Sequence, residues 1–161
     1  MQIYSQLPPL ALNGAAGSAV AMGYFDGIHR GHRAVIQGAV QWAQAHGACP
    51  ALFTFELPSG SRMKGKRLLS TQDKHALVQS LGVQHYLCPE FAAIQSLPPE
   101  KFVQGIVEDC QARALFCGEN FTFGAKAAGD PELLQALCRP LGVEVVVVPM
   151  AQYEDKPISS T

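Results

Sequence analysis

The sequence predicts an α/β fold, an open and mainly parallel sheet of about five strands with helices on both faces. Three observations predict it. Apolar strand-like runs alternate with helix-periodic segments about every 30 residues, the rhythm of β–α units joined by right-handed crossovers. Several helical segments open on a cap or proline signal, and two are closed by glycine, at Gly82 and Gly142. The first clear strand also runs through a glycine-rich turn directly into a long helix, as in open sheets that bind anions at a helix N-terminus.

Ser18–Tyr24 is small and apolar and reads as the first strand. The helix after it places His32, Val35, Ile36, Ala39, Val40 and Ala43 at i, i+3, i+4, i+7, i+8 and i+11, one continuous face. Trp42 lies beside that stripe and is expected to be partly exposed. Ala48–Phe55 alternates poorly but is apolar and aromatic, as a strand covered on both faces is. Ser70 and Asp73 form a capping box for a short helix whose face is Leu77, Val78 and Leu81, stopped by Gly82. Val83–Leu87 is a short third strand. Pro98 and Pro99 start the helix bearing Phe102, Val103, Ile106, Val107 and Cys110. Ala112–Cys117 is the fourth strand. Asp130-Pro131 is an N-cap followed by a first-turn proline, and Leu133, Leu134, Leu137, Cys138 and Leu141 are the expected face of that helix. Gly142 closes it before a fifth strand, Val143–Val148. The polar, proline-containing Met1–Leu12 is assigned no element.

The 161 residues suit one domain. At 48% hydrophobic and 16% charged, the chain is too apolar for disorder. A formal net charge of −1 lacks the basic field of a nucleic-acid-binding protein. The longest apolar run, Val143–Met150, contains Glu144 and Pro149 and falls far short of a membrane span, and no basic leader precedes an apolar signal core. Cys49, Cys88, Cys110, Cys117 and Cys138 match neither a zinc knuckle nor a redox pair. They are expected to be buried free thiols of a cytoplasmic protein.

His29-Arg30-Gly31-His32 carries the most chemistry. Two imidazoles three residues apart share one face of a first helical turn, beside backbone N–H groups that have no intrahelical partner. Each imidazole is a compact donor near neutral pH, so the motif reads as a nucleotide-phosphate site. Gly23 and Gly27 keep the turn free of Cβ atoms where a nucleotide approaches backbone, and Gly31 stands beside His32 in the same turn. Asp26 either caps the turn or reaches a cation through water. Because ligands of such sheets lie beyond the strand carboxyl ends, the segments after the first, second, fourth and fifth strands gather at one edge. There stand Phe25, the basic run Arg62-Met-Lys-Gly-Lys-Arg67, Asn120, Phe121 and Phe123. The two rings alternate to one side, which suits either core packing or a pocket wall. His46, His75 and His85 have no ligand-like spacing and are assigned no site.

Gly23-Tyr-Phe-Asp-Gly-Ile-His-Arg-Gly-His32 closely resembles the opening signature of the adenylyltransferase (FAD synthetase) module of bacterial bifunctional riboflavin kinase/FAD synthetases, within the HxGH nucleotidylyltransferase superfamily. Thr54-Phe-Glu56, Arg67-Leu-Leu-Ser-Thr-Gln-Asp-Lys74, Gly118-Glu-Asn-Phe-Thr-Phe-Gly124 with Gly129-Asp130, and Ile158-Ser-Ser-Thr161 resemble that module's further motifs in the same order. The resemblance implies a Rossmann-like nucleotidylyltransferase fold over residues 1–161 and transfer of the adenylyl group of ATP to FMN, with FAD and pyrophosphate as products. It further implies His29 and His32 as catalytic donors. Gly23, Phe25, Asp26, Gly27, Gly31, Asn120, Phe123, Lys126, Ser159, Ser160 and Thr161 are the nucleotide- and flavin-binding positions it implies. Mg²⁺ accompanies the substrate phosphates, with no dedicated metal cage in the sequence.

Three departures stand out. Leu57-Pro58-Ser59 replaces a Pro-His-Pro continuation, Ala127 stands at a basic position with Lys126 beside it, and the chain ends before the family's Arg-Ile-Arg and without the C-terminal riboflavin kinase domain of a bifunctional parent. A chain cut at its C-terminal end is therefore expected to turn over weakly. Two alternatives stay open: another phosphorylated acceptor, such as nicotinamide mononucleotide or phosphorylated pantetheine, and an ATP- or flavin-binding protein that has lost catalysis.

Overall fold

The computed structural model describes residues 1–4, 17–23, 25, 30–54, 71–89, 96–124 and 128–149. They form a six-stranded parallel sheet: β1 (Gln2–Tyr4), β2 (Ser18–Met22), β3 (Cys49–Phe53), β4 (His85–Leu87), β5 (Ala112–Gly118) and β6 (Glu144–Val148), in the order β1-β4-β3-β2-β5-β6. Among the described residues, four helices lie between successive strands from β2 to β6: α1 (Arg30–His46), α2 (Thr71–Ser80), α3 (Pro99–Cys110) and α4 (Pro131–Cys138). No helix among the described residues is long and apolar enough to cross a membrane.

Strand alternation divides the core into two layers. Ala19, Ala21, Leu52, Ala114 and Phe116 face α1 and α2, where Val35, Ile36, Ala39, Val40, Ala43 and Val78 are buried. Val20, Met22, Ala51, Phe53, Leu115 and Cys117 face α3 and α4, against Phe102, Val103, Ile106, Cys110, Leu134 and Cys138. The helices on both faces and the predicted stripe of α1 are as expected. Both capping signals of the second layer also operate. Pro99 begins α3, and the Asp130 carboxylate accepts the Leu133 N–H at 2.9 Å. Positive φ at Gly82 and Gly142, +108° and +74°, fits the expected stops. Ser70, half of the predicted capping box, lies outside the described residues.

Two features differ from the reading of the sequence. Gln2–Tyr4 adds a sixth strand at the edge beyond β4, held by backbone bonds from Gln2 N to Gln84 O and from Cys88 N to Tyr4 O. Three residues are too few to show a period, so pairing with β4 defines this strand rather than propensity. Leu141 does not belong to the face of α4. The chain tightens into a 3₁₀ turn over Arg139–Leu141, and Leu141 is 52% exposed.

Pro50 is tolerated inside β3 for a register reason. Its carbonyl accepts from Gln84, on the β4 side, and an N–H at the same residue would point that way too. Pairing with β4 begins one residue later, at Ala51 opposite His85, so the missing donor costs no ladder bond.

Candidate functional site

β2 has β3 on one side and β5 on the other; β3 and β4 proceed outward on the first side, with β1 at the edge, and β5 and β6 on the second. Its carboxyl end is thus the topological switch point, where open α/β sheets hold their ligands. The glycine-rich turn leaves β2 there, and α1 starts there.

At the first turn of α1, Arg30 is exposed, Gly31 buried and His32 half-buried. Among the described residues, the first turn of the helix carries no acidic side chain of its own, and the positive end of the helix dipole lies there. His32 meets the ring of Phe25 edge to face, with centroids 5.2 Å apart and planes at 89°. Such a contact contributes about 0.5–1.5 kcal/mol beyond area burial. Phe25 itself is 1% exposed, and its N–H donates to the hydroxyl of Thr54 at 3.4 Å. Thr54 follows β3 directly and is fully buried, and its own N–H donates to Leu87 O at 2.9 Å. Gly23 donates to Phe53 O at 3.1 Å, and a Cβ on Gly23 would stand 3.1 Å from the Phe25 ring. The glycine thus makes room for a core aromatic, in addition to any approach of a ligand.

The neighbouring strand β5 contributes the second wall. Asn120 is exposed on the turn after Gly118, where Phe121 N–H donates back to Gly118 O. Phe123 is buried: its ring stacks on Phe102 at 5.4 Å and on Phe121 at 5.7 Å. Its backbone exchanges two hydrogen bonds with Gly129, closing the loop immediately before the Asp130 cap.

Of the residues singled out from sequence, the fold brings Gly23, Phe25, Gly31 and His32 together at the end of β2. Asn120 and Phe123 stand beyond the adjacent β5. His29, Asp26, Gly27, Lys126, Ser159, Ser160 and Thr161 lie outside the described residues, as does Arg62–Arg67. Among the described residues, no group of three His, Cys, Asp or Glu side chains is placed to hold a metal ion. Thr54 was visible in the sequence only as part of a motif. The available signal was a lone hydroxyl at the end of the apolar run Ala51-Leu-Phe53, since a buried hydroxyl needs a partner.

The family model for FAD synthetase matches residues 13–161. The chain belongs to the FAD synthetase family. It is 29% identical over 153 residues to "Bifunctional riboflavin kinase/FMN adenylyltransferase" of Buchnera aphidicola, covering 91% of this chain and 49% of the relative. To "FAD synthetase" of Listeria monocytogenes it is 27% identical over 158 residues, covering 94% of this chain and 64% of that one. To "FAD synthetase 1, chloroplastic" of Arabidopsis thaliana it is 28% identical over 156 residues, covering 90% and 42%. A crystal structure described as a macrolide-efflux protein from Streptococcus pneumoniae superposes with a TM-score of 0.75 over 92% of this chain and 59% of that one, at 22% identity, a likeness of fold alone. The chain thus spans about half the length of the Buchnera relative. FAD synthetase membership carries adenylyltransferase-type chemistry in general, and the described candidate residues stand at the end of β2 with α1 and beyond the end of β5.

Proposed function

We propose that this chain transfers the adenylyl group of ATP to FMN, forming FAD and releasing pyrophosphate. The observation that carries the reading is His32 in the first, acid-free turn of α1 at the β2/β5 switch point, in a member of the FAD synthetase family. An oxygen of the FMN phosphate attacks the α-phosphorus of ATP, and the bond from that phosphorus to the pyrophosphate oxygen breaks. The nucleophile is already an anion, so the protein needs no serine or cysteine nucleophile. Its work is alignment, together with donors aimed at charge that grows on the phosphate oxygens.

In this reading His32 and His29 donate to ATP phosphate oxygens, alongside the free N–H groups of α1 and Gly31. Gly23 and Gly27 leave the backbone accessible, and Asp26 orders the turn. Phe25 and Phe123 shape the two walls from beneath, and Asn120 gives the acceptor a polar contact. Lys126, Ser159, Ser160 and Thr161 are further phosphate donors. With no metal-holding cluster among the described residues, Mg²⁺ would come as part of the ATP substrate and would supply charge neutralisation for the departing pyrophosphate.

Incubation with ATP, Mg²⁺ and FMN should yield FAD and pyrophosphate in equal amounts, read by chromatography and a pyrophosphate assay. His32→Ala is expected to cost about 2–4 kcal/mol of transition-state stabilisation, roughly 30- to 900-fold in kcat/KM. Binding of both substrates with no FAD formed would reject the enzyme, and an unchanged kcat/KM in a folded His32→Ala protein would return that residue to a structural role.

A further inference from the structure

The turn between β2 and α1 carries the motif residues, and its two described ends are tied to each other and to β3. Phe25, at the strand end, and His32, at the helix end, meet ring to ring at 5.2 Å and 89°. Two features hold the Phe25 ring in place. The Thr54 hydroxyl accepts the Phe25 backbone N–H, fixing the residue on the neighbouring strand's end. Gly23 leaves the space the ring occupies, with ring atoms 3.1 and 3.2 Å from where a Cβ would stand. Burial of both Thr54 and Phe25 leaves neither side chain open to a ligand.

We infer that Thr54 and Phe25 are positioning residues for the His32 imidazole, acting through the edge-to-face contact rather than by touching substrate. The catalytic consequence rests on the proposed adenylyl transfer, whereas the geometric claim stands without it. A hydroxyl is suited to the task for a specific reason. The Phe25 N–H points at the end of a different strand, and a short side-chain acceptor there satisfies it without lengthening the sheet. A backbone held in this way sets the direction of the Phe25 ring. The perpendicular contact then restricts rotation of the imidazole, and an imidazole held ready loses no orientational freedom when charge develops on a phosphate. Thr54 was read from the sequence as a motif residue with no role of its own; this contact supplies one.

The test is histidine-selective NMR on the whole chain without ligand, with His32 assigned by comparison with His32→Gln. Thr54→Val removes the acceptor at nearly constant shape, and Thr54→Ser retains it. Thr54→Val is expected to move the His32 ring resonances and its titration midpoint while His46 and His75 stay in place, and Thr54→Ser should restore the wild-type values. Unchanged His32 signals in folded Thr54→Val would overturn the inference, as would an equal displacement of all the histidines, which marks a general rearrangement. Should Thr54→Val not fold, Phe25→Leu decides: His32 signals that keep their wild-type positions and titration refute the contact as a positioning device. If FAD synthesis is measurable, Thr54→Val should lower kcat about five- to tenfold with little change in KM for ATP, and serine should rescue it. Absence of any FAD synthesis by the wild type would count against the proposed reaction and leave the NMR outcome to judge the positioning claim.

Discussion

Gly129→Ala probes how the loop after β5 is closed. A Cβ at this position would lie 2.5 Å from Cε2 and Cζ of Phe123 and 2.7 Å from Cε1. Ordinary carbon contacts are about 3.5–4.0 Å, so the ring must retreat by roughly 1 Å. It has little room to do so, because it is buried and stacked on both Phe102 and Phe121. Overpacking of this kind costs about 1–3 kcal/mol. The other escape, opening the Phe123–Gly129 bridge, gives up two backbone hydrogen bonds of 3.2 and 2.8 Å, each contributing about 0.5–1.5 kcal/mol net. Both routes lead to a loss of about 1–3 kcal/mol, a fall in Tm of roughly 2–12 °C for a domain of this size. Urea and thermal unfolding followed by circular dichroism measure it, with an unchanged m-value securing the comparison. The Phe123→Leu/Gly129→Ala pair should be less destabilised than the sum of the single variants by more than about 1 kcal/mol, because the smaller side chain relieves the clash. Stability of Gly129→Ala within about 0.5 kcal/mol of wild type, or strict additivity in the cycle, would refute this account of the loop.

Asp130→Ala should cost about 0.5–2 kcal/mol by removing the acceptor for Leu133 N–H, and Asp130→Asn should retain most of the cap; equal unfolding midpoints for alanine and wild type would exclude the cap as a stabilising element. Burial, with smaller contributions from Asp109 and Cys138 respectively, pushes the thiols of Cys110 and Cys117 up to about 12, and burial alone pushes Cys138 up to about 11. An unfolded thiol ionises near 8.5, so above that pH the unfolded chain releases protons that the native chain keeps, and stability falls as pH rises toward 11–12 by up to about 1.4 kcal/mol per unit for each thiol. Urea midpoints at pH 8 and 10 test this, and Cys117→Ala should flatten the slope; a slope unaffected by removing this thiol would contradict the burial argument. His85 is the opposite case: burial first, and the N-terminal ammonium second, hold its pKa below 6.5. Its neutral form is favoured in the native state, so its contribution is present above about pH 6.5 and lost as pH falls through the lowered value. His85→Phe should be less acid-sensitive than wild type between pH 7 and 5, and parallel pH–stability curves would dismiss the group.

The parts of this fold legible in the sequence were those governed by local periodicity or local chemistry. The stripe of α1 follows from residues within four positions of one another, and the Asp130-Pro131 start of α4 from a side chain bonding three residues on. β1 escaped notice because its partner, β4, lies some 80 residues away in sequence, as the Tyr4 hydroxyl's 3.2 Å bond with His85 Nδ1 illustrates. Leu141 continued the apolar spacing, yet Pro140 interrupts the helical ladder and the chain turns toward β6 instead. The same limit applies to the site. The sequence places Phe25 and Phe123 near a nucleotide, but an aromatic lining a pocket and one packed beneath it have the same local signature. What separates them is contact across the fold: Phe25 with Thr54, and Phe123 with Phe102 and Gly129.

The two ends of the sheet also explain why the chemistry collects where it does. At the amino-terminal edge the described connections are short and closed. Gly47 and Ala48 alone join α1 to β3, and Gln111, in the left-handed conformation at φ 51°, alone joins α3 to β5. Side chains fasten that edge further: Ser18 Oγ donates to Cys110 O at 2.7 Å, and Trp42 Nε1 donates to Glu144 at 3.3 Å while its ring stacks on His46. Among the described residues, the carboxyl edge bears Phe25, Thr54, Asn120 and Phe123. One edge therefore fixes the spacing of β2 and β5, and that fixed spacing lets the other edge present an imidazole and a helix terminus in a constant relation. A change at Trp42 or Ser18 should consequently alter stability before it alters the crevice, whereas a change at Thr54 or Gly23 should disturb the crevice first.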